Sequence, residues 1–286
     1  MIIPPHDKPL EPGLYLVATP IGNLRDITLR ALDVLAKADL VLAEDTRVTG
    51  KLLKAFAVKA KLQRYDDHMG GAVRPQLLER LAAGARIALV SDAGSPLVSD
   101  PGYRLALEAA GQGTKVIAIP GASAVLTGLA VAGLPTDRFL FAGFPPPKSA
   151  GRRAFFEELK PLRATLVFFE GASRLGASLS DMAAVFGPRQ AAVARELTKL
   201  YETVVRGTLA ELAANPALQS PKGEIVVLVG AGEEASLSAE DADAALAEAV
   251  KRLGPSDAAS EVAKATGLPR RELYRRAIEL KAGHDR

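Results

Sequence analysis

The residues best suited to chemistry lie in one stretch, Ser91-Asp92-Ala93-Gly94-Ser95-Pro96-Leu97-Val98-Ser99-Asp100-Pro101-Gly102. It concentrates two carboxylates, Asp92 and Asp100, with the hydroxyls of Ser91, Ser95 and Ser99. Gly94 lets a ligand come close to the backbone. Such a loop suits a polar small molecule held by main-chain contacts, with a carboxylate for a ribose or a positive charge. Three more polar clusters have the same character: Thr19-Pro20-Ile21-Gly22-Asn23-Leu24, Glu44-Asp45-Thr46-Arg47 and Pro120-Gly121-Ala122-Ser123-Ala124. Any one of them reads equally well as an ordinary connection. Their recurrence at strand ends favours a ligand crevice.

The elements that must position these loops can be read from hydrophobic pattern. Short apolar runs at Gly13–Ala18, Leu40–Ala43, Ile87–Val90 and Val116–Ile119 predict buried strands, with a short edge strand at Leu62–Tyr65. Amphipathic stretches between them predict helices, among them Thr28–Lys37, Pro75–Ala83, Arg104–Ala110 and a helix opened by Pro120-Gly121-Ala122-Ser123-Ala124 and running to about Ala132. Thr46 or Thr49 is a candidate cap for the helix after the second strand, and Asp100 followed by Pro101 reads as the start of the next helix. Strands alternating with helices predict a parallel α/β sheet, whose ligands bind outside the carboxyl ends of the strands. After Gly133-Leu134-Pro135-Thr136-Asp137 the texture changes to strands at Phe139–Ala142, Thr165–Phe169, Ala191–Ala194, Glu202–Val205 and Glu224–Val229, a mixed second sheet. Beyond Ser238-Ala239-Glu240-Asp241, which resembles a capping box, the pattern is helical throughout. The expected organisation is an α/β chain of an N-terminal domain (1–135), a second α/β domain (136–232) and a C-terminal helical region (238–286).

Composition excludes several classes. The 286 residues include no Cys, so disulfides and thiolate metal sites are out, which fits a cytoplasmic protein. The three His, at positions 6, 68 and 284, have no ligand spacing, and no metal is expected. No apolar run approaches the length of a membrane helix, and no secretory signal opens the chain. There is no GxxxxGK[ST], no GxGxxG between strand and helix, and no GxSxG, which disfavours P-loop NTPases, dinucleotide-binding dehydrogenases and serine hydrolases. The net charge of +3 is mild. Its distribution is not: an acidic run from Glu233 to Glu248 precedes an Arg-rich end, and a second basic group spans Arg138 to Arg174. A helix, a turn at Thr266-Gly267-Leu268-Pro269 and a final Arg-rich helix fit either a helix-turn-helix or a small helical cap.

Taken together and in order, the four polar clusters resemble the successive motifs of the tetrapyrrole methylase superfamily, and within it the branch that methylates small-subunit ribosomal RNA. The similarity continues through Gly143-Phe144-Pro145-Pro146-Pro147-Lys148, Arg195-Glu196-Leu197-Thr198-Lys199, Arg206-Gly207 and Lys222-Gly223-Glu224, and so covers essentially the whole chain. One stretch departs from it. Where the branch usually has Tyr-Glu-Ser-Pro-His-Arg, this chain has Phe169-Glu170-Gly171-Ala172-Ser173-Arg174: the Glu and Arg are kept, the Pro and His are not, and a role given to that His does not carry over. The resemblance implies an S-adenosylmethionine-dependent methyltransferase, a homodimer with the cofactor between two α/β domains. Its substrate would be the 2′-hydroxyl of a cytidine in 16S ribosomal RNA. Carried over residue by residue, it makes Pro20, Asp92, Ser95, Ser123, Ala124 and Phe169 the cofactor contacts.

Methyl transfer from a sulfonium is an in-line displacement that needs positioning and desolvation rather than a metal. The ribose hydroxyl is a poor nucleophile, so a proton acceptor within reach helps. Glu44, Asp45 and Glu170 are the candidates; Asp45 reads equally as a helix cap, and the two Glu as ion-pair partners of Arg47 or Arg174. Arg25, Arg47, Lys148, Arg152 and Arg153 are candidates for RNA phosphates. Two other functions fit the same pattern: C-methylation of a corrinoid or other tetrapyrrole, and a non-catalytic RNA-binding factor of ribosome assembly.

Overall fold

The computed structural model describes residues 8–232, 239–266 and 268–284. The first sheet is built from β1 (Gly13–Val17), β2 (Leu40–Ala43), β3 (Leu62–Arg64), β4 (Arg86–Val90) and β5 (Val116–Ile119). The strands run parallel in the order β3-β2-β4-β1-β5. β2 and β4 are apolar nearly throughout because helices cover both faces, as a parallel sheet requires. Those helices are α1 (Leu29–Lys37), α2 (Thr46–Ala55), α3 (Asp67–Ala82) and α4 (Tyr103–Gly111). With every strand parallel, the loops after β1, β2, β4 and β5 emerge at one edge.

Three boundaries differ from the sequence reading. α2 is capped by Asp45, whose side chain accepts from the Arg47 N–H, rather than by Thr46 or Thr49. α3 begins at Asp67 and runs through Pro75, so the polar segment before Pro75 is helix rather than loop. α4 begins at Tyr103 and not at Pro101. Its N-cap is Gly102, at φ 113°, where a Cβ would lie 2.4 Å from Leu89 Cδ2. Only glycine fits that turn.

α5 (Ala124–Ala132) leaves the first sheet and packs on the second. That sheet comprises β6 (Phe139–Phe141), β7 (Thr165–Gly171), β8 (Gln190–Arg195), β9 (Thr203–Thr208) and β10 (Glu224–Val229). It is mixed, in the order β6-β7-β10-β8-β9, with only the β6–β7 pair parallel. Val125, Leu129 and Ala132 of α5 meet Ala192, Ala194, Val226 and Leu228 on one face. Gly128 permits the approach, since a Cβ there would sit 3.2 Å from Val226. On the opposite face Phe156, Leu179, Met182 and Leu212 bring in α6 (Ser149–Leu159), α7 (Leu175–Phe186) and α8 (Leu209–Ala214). The helix α5 is therefore the strut that ties the two sheets together.

The C-terminal helices α9 (Ala239–Arg252), α10 (Pro255–Thr266) and α11 (Arg270–His284) enclose a core of their own around Leu246, Ala258, Val262 and Leu273. The capping box expected at Ser238 lies outside the described residues. On α11, Leu273 and Ala277 point inward, while Arg271, Tyr274, Arg275 and Ile278 lie on the exposed face. Among the described residues no helix is long and apolar enough to cross a membrane.

Candidate active site

The loop after β4 is stitched to its neighbours by short polar bonds. Thr19 and Gly94 exchange backbone hydrogen bonds of 2.9 and 3.0 Å. The Thr19 hydroxyl donates to the Ser91 carbonyl, and the Ser91 hydroxyl to the Gly94 carbonyl. The next residue, Asp92, accepts the Asp45 N–H on Oδ1 at 3.1 Å. Three strand-end loops are thus locked together with Asp92 at their meeting point.

Three cavities open there. The first, about 300 Å³, lies between Asp92, Ser95 and Asp100 on one side and Phe144, Phe169 and Val226 of the second half on the other, with Ser123 and Ala124 at its floor. The second, about 370 Å³, is bounded by Pro20, Leu24, Val48, Lys51 and Lys199. The third, about 490 Å³, is polar and lined by Glu44, Asp45, Thr46, Arg47 and Arg64. Asp92 lines all three.

The structure brings most of the expected cofactor contacts to one place. Asp92, Ser95, Ser123, Ala124 and Phe169 line the first cavity, and Pro20 lines the second. Ser123 is also the N-cap of α5, so the positive end of that helix opens at the cavity floor. Phe144 and Lys199, which lie in two of the motifs quoted from the sequence, join the site without having been expected there. Phe144 stands edge-on to Phe169 at 5.5 Å and completes the apolar wall. Lys199 bridges Glu196 at 2.8 Å and Glu224 at 3.0 Å. It also lies so close against Gly22 that a Cβ there would sit 2.4 Å from its Cγ. It joins the second sheet to the loop after β1.

The candidate proton acceptors separate by partner. Asp45 caps α2 and holds the Arg47 guanidinium at 2.6 and 3.0 Å. The Arg47 side chain and its backbone N–H keep that carboxyl far below the usual carboxylate range, which makes it a poor base. Glu170 is buried, with Oε1 accepting from the Gly171 N–H and Arg174, each at 2.7 Å, and Oε2 from the Ser178 hydroxyl. Its oxygens are committed to bracing β7 against α7, so the geometry favours the ion-pair reading over the catalytic one. Glu44 lines the third cavity.

Asp100, read from sequence as the helix start, belongs to this site instead. Leu97 and Ser99 take left-handed φ values of 72° and 63° and, with Gly102, turn Asp100 into the first cavity. Such conformations cost free energy and concentrate at functional sites. Burial, reinforced by the nearby charges of Glu44 and Asp92 and opposed by the Ser91 hydroxyl, pushes the Asp100 carboxyl up to about 6.

The expected RNA contacts divide as well. Arg25, Arg47 and Lys148 are exposed. Arg152 is not: its guanidinium is 4 % exposed and bonds Asp181, also buried, at 2.5 and 2.8 Å and the Pro147 carbonyl at 3.2 Å. It is a core ion pair and cannot meet a phosphate. Arg153, one residue on, is half exposed and touches the same carboxylate from outside at 2.6 Å.

Residues 13–213, which contain every strand and loop of this site except β10, match the family described as Tetrapyrrole (Corrin/Porphyrin) Methylases. The chain belongs to the tetrapyrrole methylase family. Residues 236–281 of this methylase match a second family, described as the RsmI C-terminal HTH domain. It is 51 % identical to a ribosomal RNA small subunit methyltransferase I of Mesorhizobium japonicum, over 96 % of this chain and 94 % of that one. The protein of the same name from Erythrobacter litoralis is 52 % identical, over 96 % and 99 %. Among solved structures, the methylase resembles a uroporphyrin-III-C-methyltransferase from Thermus thermophilus, with a TM-score of 0.53 and 26 % identity, over 76 % of this chain and 93 % of that one.

Proposed function

We propose that this chain transfers the methyl group of S-adenosylmethionine to the 2′-hydroxyl of a cytidine in 16S ribosomal RNA of the small subunit, as a cytoplasmic homodimer. The observation that carries the RNA reading is coverage. The relatives named as small-subunit RNA methyltransferases match 96 % of the chain, the C-terminal helices included, whereas the uroporphyrin methyltransferase covers 76 %. The reading takes residues 1–135 and 136–232 as the halves that enclose the cofactor and 238–286 as an RNA-facing appendage. Leu200 and Tyr201, 88 % and 69 % exposed on the turn between β8 and β9, offer apolar surface for a second copy.

The first cavity suits the cofactor chemically. S-adenosylmethionine supplies an activated methyl on a cationic sulfur, along with an ammonium, a carboxylate and an adenosine. Phe144, Phe169 and Val226 accept the apolar parts. The N-terminus of α5 at Ser123 and Ala124 favours an anionic group, and the Asp92 carboxylate favours a cationic one. The enzyme's work is to hold the cofactor and ribose in line and keep water out. Arg25, Arg47, Lys148 and Arg153 would neutralise phosphates of the bound RNA.

The direct test offers labelled cofactor to the purified chain with small subunits lacking the modification and, separately, with a corrinoid precursor. Label in 16S RNA alone is expected. Label in the corrinoid alone would favour C-methylation, and label in neither, with no binding of S-adenosylmethionine by the chain, would leave an assembly factor.

The appendage gives a second expectation. Arg271 and Arg275 stand side by side on the exposed face of α11 next to Tyr274, cations and an aromatic ring together as single-stranded RNA binding uses them. Changing both to Ala should weaken RNA binding and make the plot of log affinity against log salt shallower by roughly 1–2. Turnover at saturating RNA and the melting temperature should stay as they are.

A further inference from the structure

We infer that Asp100 is the proton acceptor of the reaction, the group that takes the hydrogen of the attacking hydroxyl. The inference rests on the methyl-transfer reading above and adds the residue that sequence assigned to a helix cap. The geometry is its ground. The carboxyl lines the first cavity beside Asp92, the one residue that also lines the second and third cavities, so it stands next to the point where the three cavities meet.

The surrounding charges favour it over its paired neighbours. Six carboxylates face this region: Glu44 and Asp45 after β2, Asp92 and Asp100 after β4, Glu170 on β7 and Glu224 on β10. Glu170 is neutralised by Arg174 and Glu224 by Lys199, while the nearby Asp45 has Arg47. Asp92 spends one oxygen on the Asp45 N–H. Asp100 forms no ion pair with any described residue, and its close polar neighbour is the neutral Ser91 hydroxyl. A carboxyl so placed is a far better base than Asp45, and its raised affinity for a proton fits transfer near neutral pH. The turn that carries it holds Leu97 and Ser99 left-handed, a conformational cost of the kind that concentrates at functional sites.

The step balances without a further reactant. As the methyl moves, the ribose 2′-oxygen forms the new O–CH3 bond, the cofactor sulfur keeps the electron pair of the broken S–CH3 bond, and the 2′-hydroxyl proton passes to the Asp100 carboxylate. A cationic cofactor beside Asp92 and Asp100 lowers the proton affinity of Asp100 on arrival, so the group is ionised when the ribose enters. Between the unfolded and folded titrations of this carboxyl the native state holds more protons, so its ionisation costs stability as pH rises through that window.

Asp100→Asn keeps shape and removes the base. With small subunits as substrate, kcat should fall by about 100- to 10,000-fold, with the acid limb of the pH profile lost. The variant should melt higher than the wild type at pH 8 and no higher at pH 4.5. Calorimetry of S-adenosylmethionine binding near pH 6, in buffers of different ionisation heat, should show a proton released by the wild type and none by the variant. A variant that keeps wild-type turnover and the same acid limb would overturn the inference and leave the methyl-transfer reading standing. A wild type that methylates no small subunit would remove that reading instead. The calorimetric proton, measured without RNA, would still decide whether Asp100 faces the cofactor, and its persistence in the variant would count against the inference.

Discussion

Replacing Arg152 by Ala lowers the unfolding free energy by about 3–5 kcal/mol, the cost of leaving one member of a buried ion pair alone. Asp181 is 5 % exposed, and in the wild type it also holds the Ser149 hydroxyl at 3.0 and 2.9 Å and Arg153 at 2.6 Å. Those remaining bonds soften the loss without replacing the two guanidinium contacts of Arg152. Arg153→Ala removes only the outer contact of a half-exposed pair, and such pairs are worth about 1 kcal/mol or less. Urea denaturation of the two variants side by side checks the contrast. Equal, small shifts would mean that Arg152 is not a core residue. The pair also separates stability from RNA binding, since Arg153→Ala should weaken RNA association while leaving the fold intact.

The second large effect belongs to Asp92. Asp92→Asn keeps an oxygen to accept the Asp45 N–H, so the stitching of the three loops survives. What it loses is negative charge at the meeting point of the cavities. Hydrogen bonds to charged groups contribute about 1.5–3 kcal/mol, so affinity for S-adenosylmethionine should fall by roughly 10- to 100-fold. Binding calorimetry measures this directly, with the melting temperature as the control. Unchanged affinity together with an unchanged melting temperature would move the cofactor's positive charge away from Asp92.

Much of this site was legible in the sequence because its loops follow buried strands. Strand-end clusters at 19–24, 44–47, 91–102 and 120–124 need only the rule that parallel strands present their ends to one edge. Side-chain commitments were harder to read. Arg152 and Arg153 are neighbours of one type, and only the roughly 100° turn between successive helical residues separates them. That rotation sends Arg152 inward to Asp181, which lies 29 residues away in sequence. Glu170 has Arg174 within one helical turn, a visible pair, but its third partner, Ser178, shows up only once β7 and α7 are packed. Asp100 with Pro101 is a strong local start signal. It was overridden because the Leu89 side chain leaves room only for Gly102 at the true cap. In each case the local pattern named the right segment, and a distant contact chose the role.

The measurement that reaches the central claim is the chemical position of the transferred methyl. Small-subunit RNA labelled by the purified chain would be digested in alkali, which cleaves beside a free 2′-hydroxyl and spares a methylated one. Label retained in an alkali-stable dinucleotide beginning with cytidine is the predicted result. Label released in mononucleotides would place the methyl on a base and contradict it.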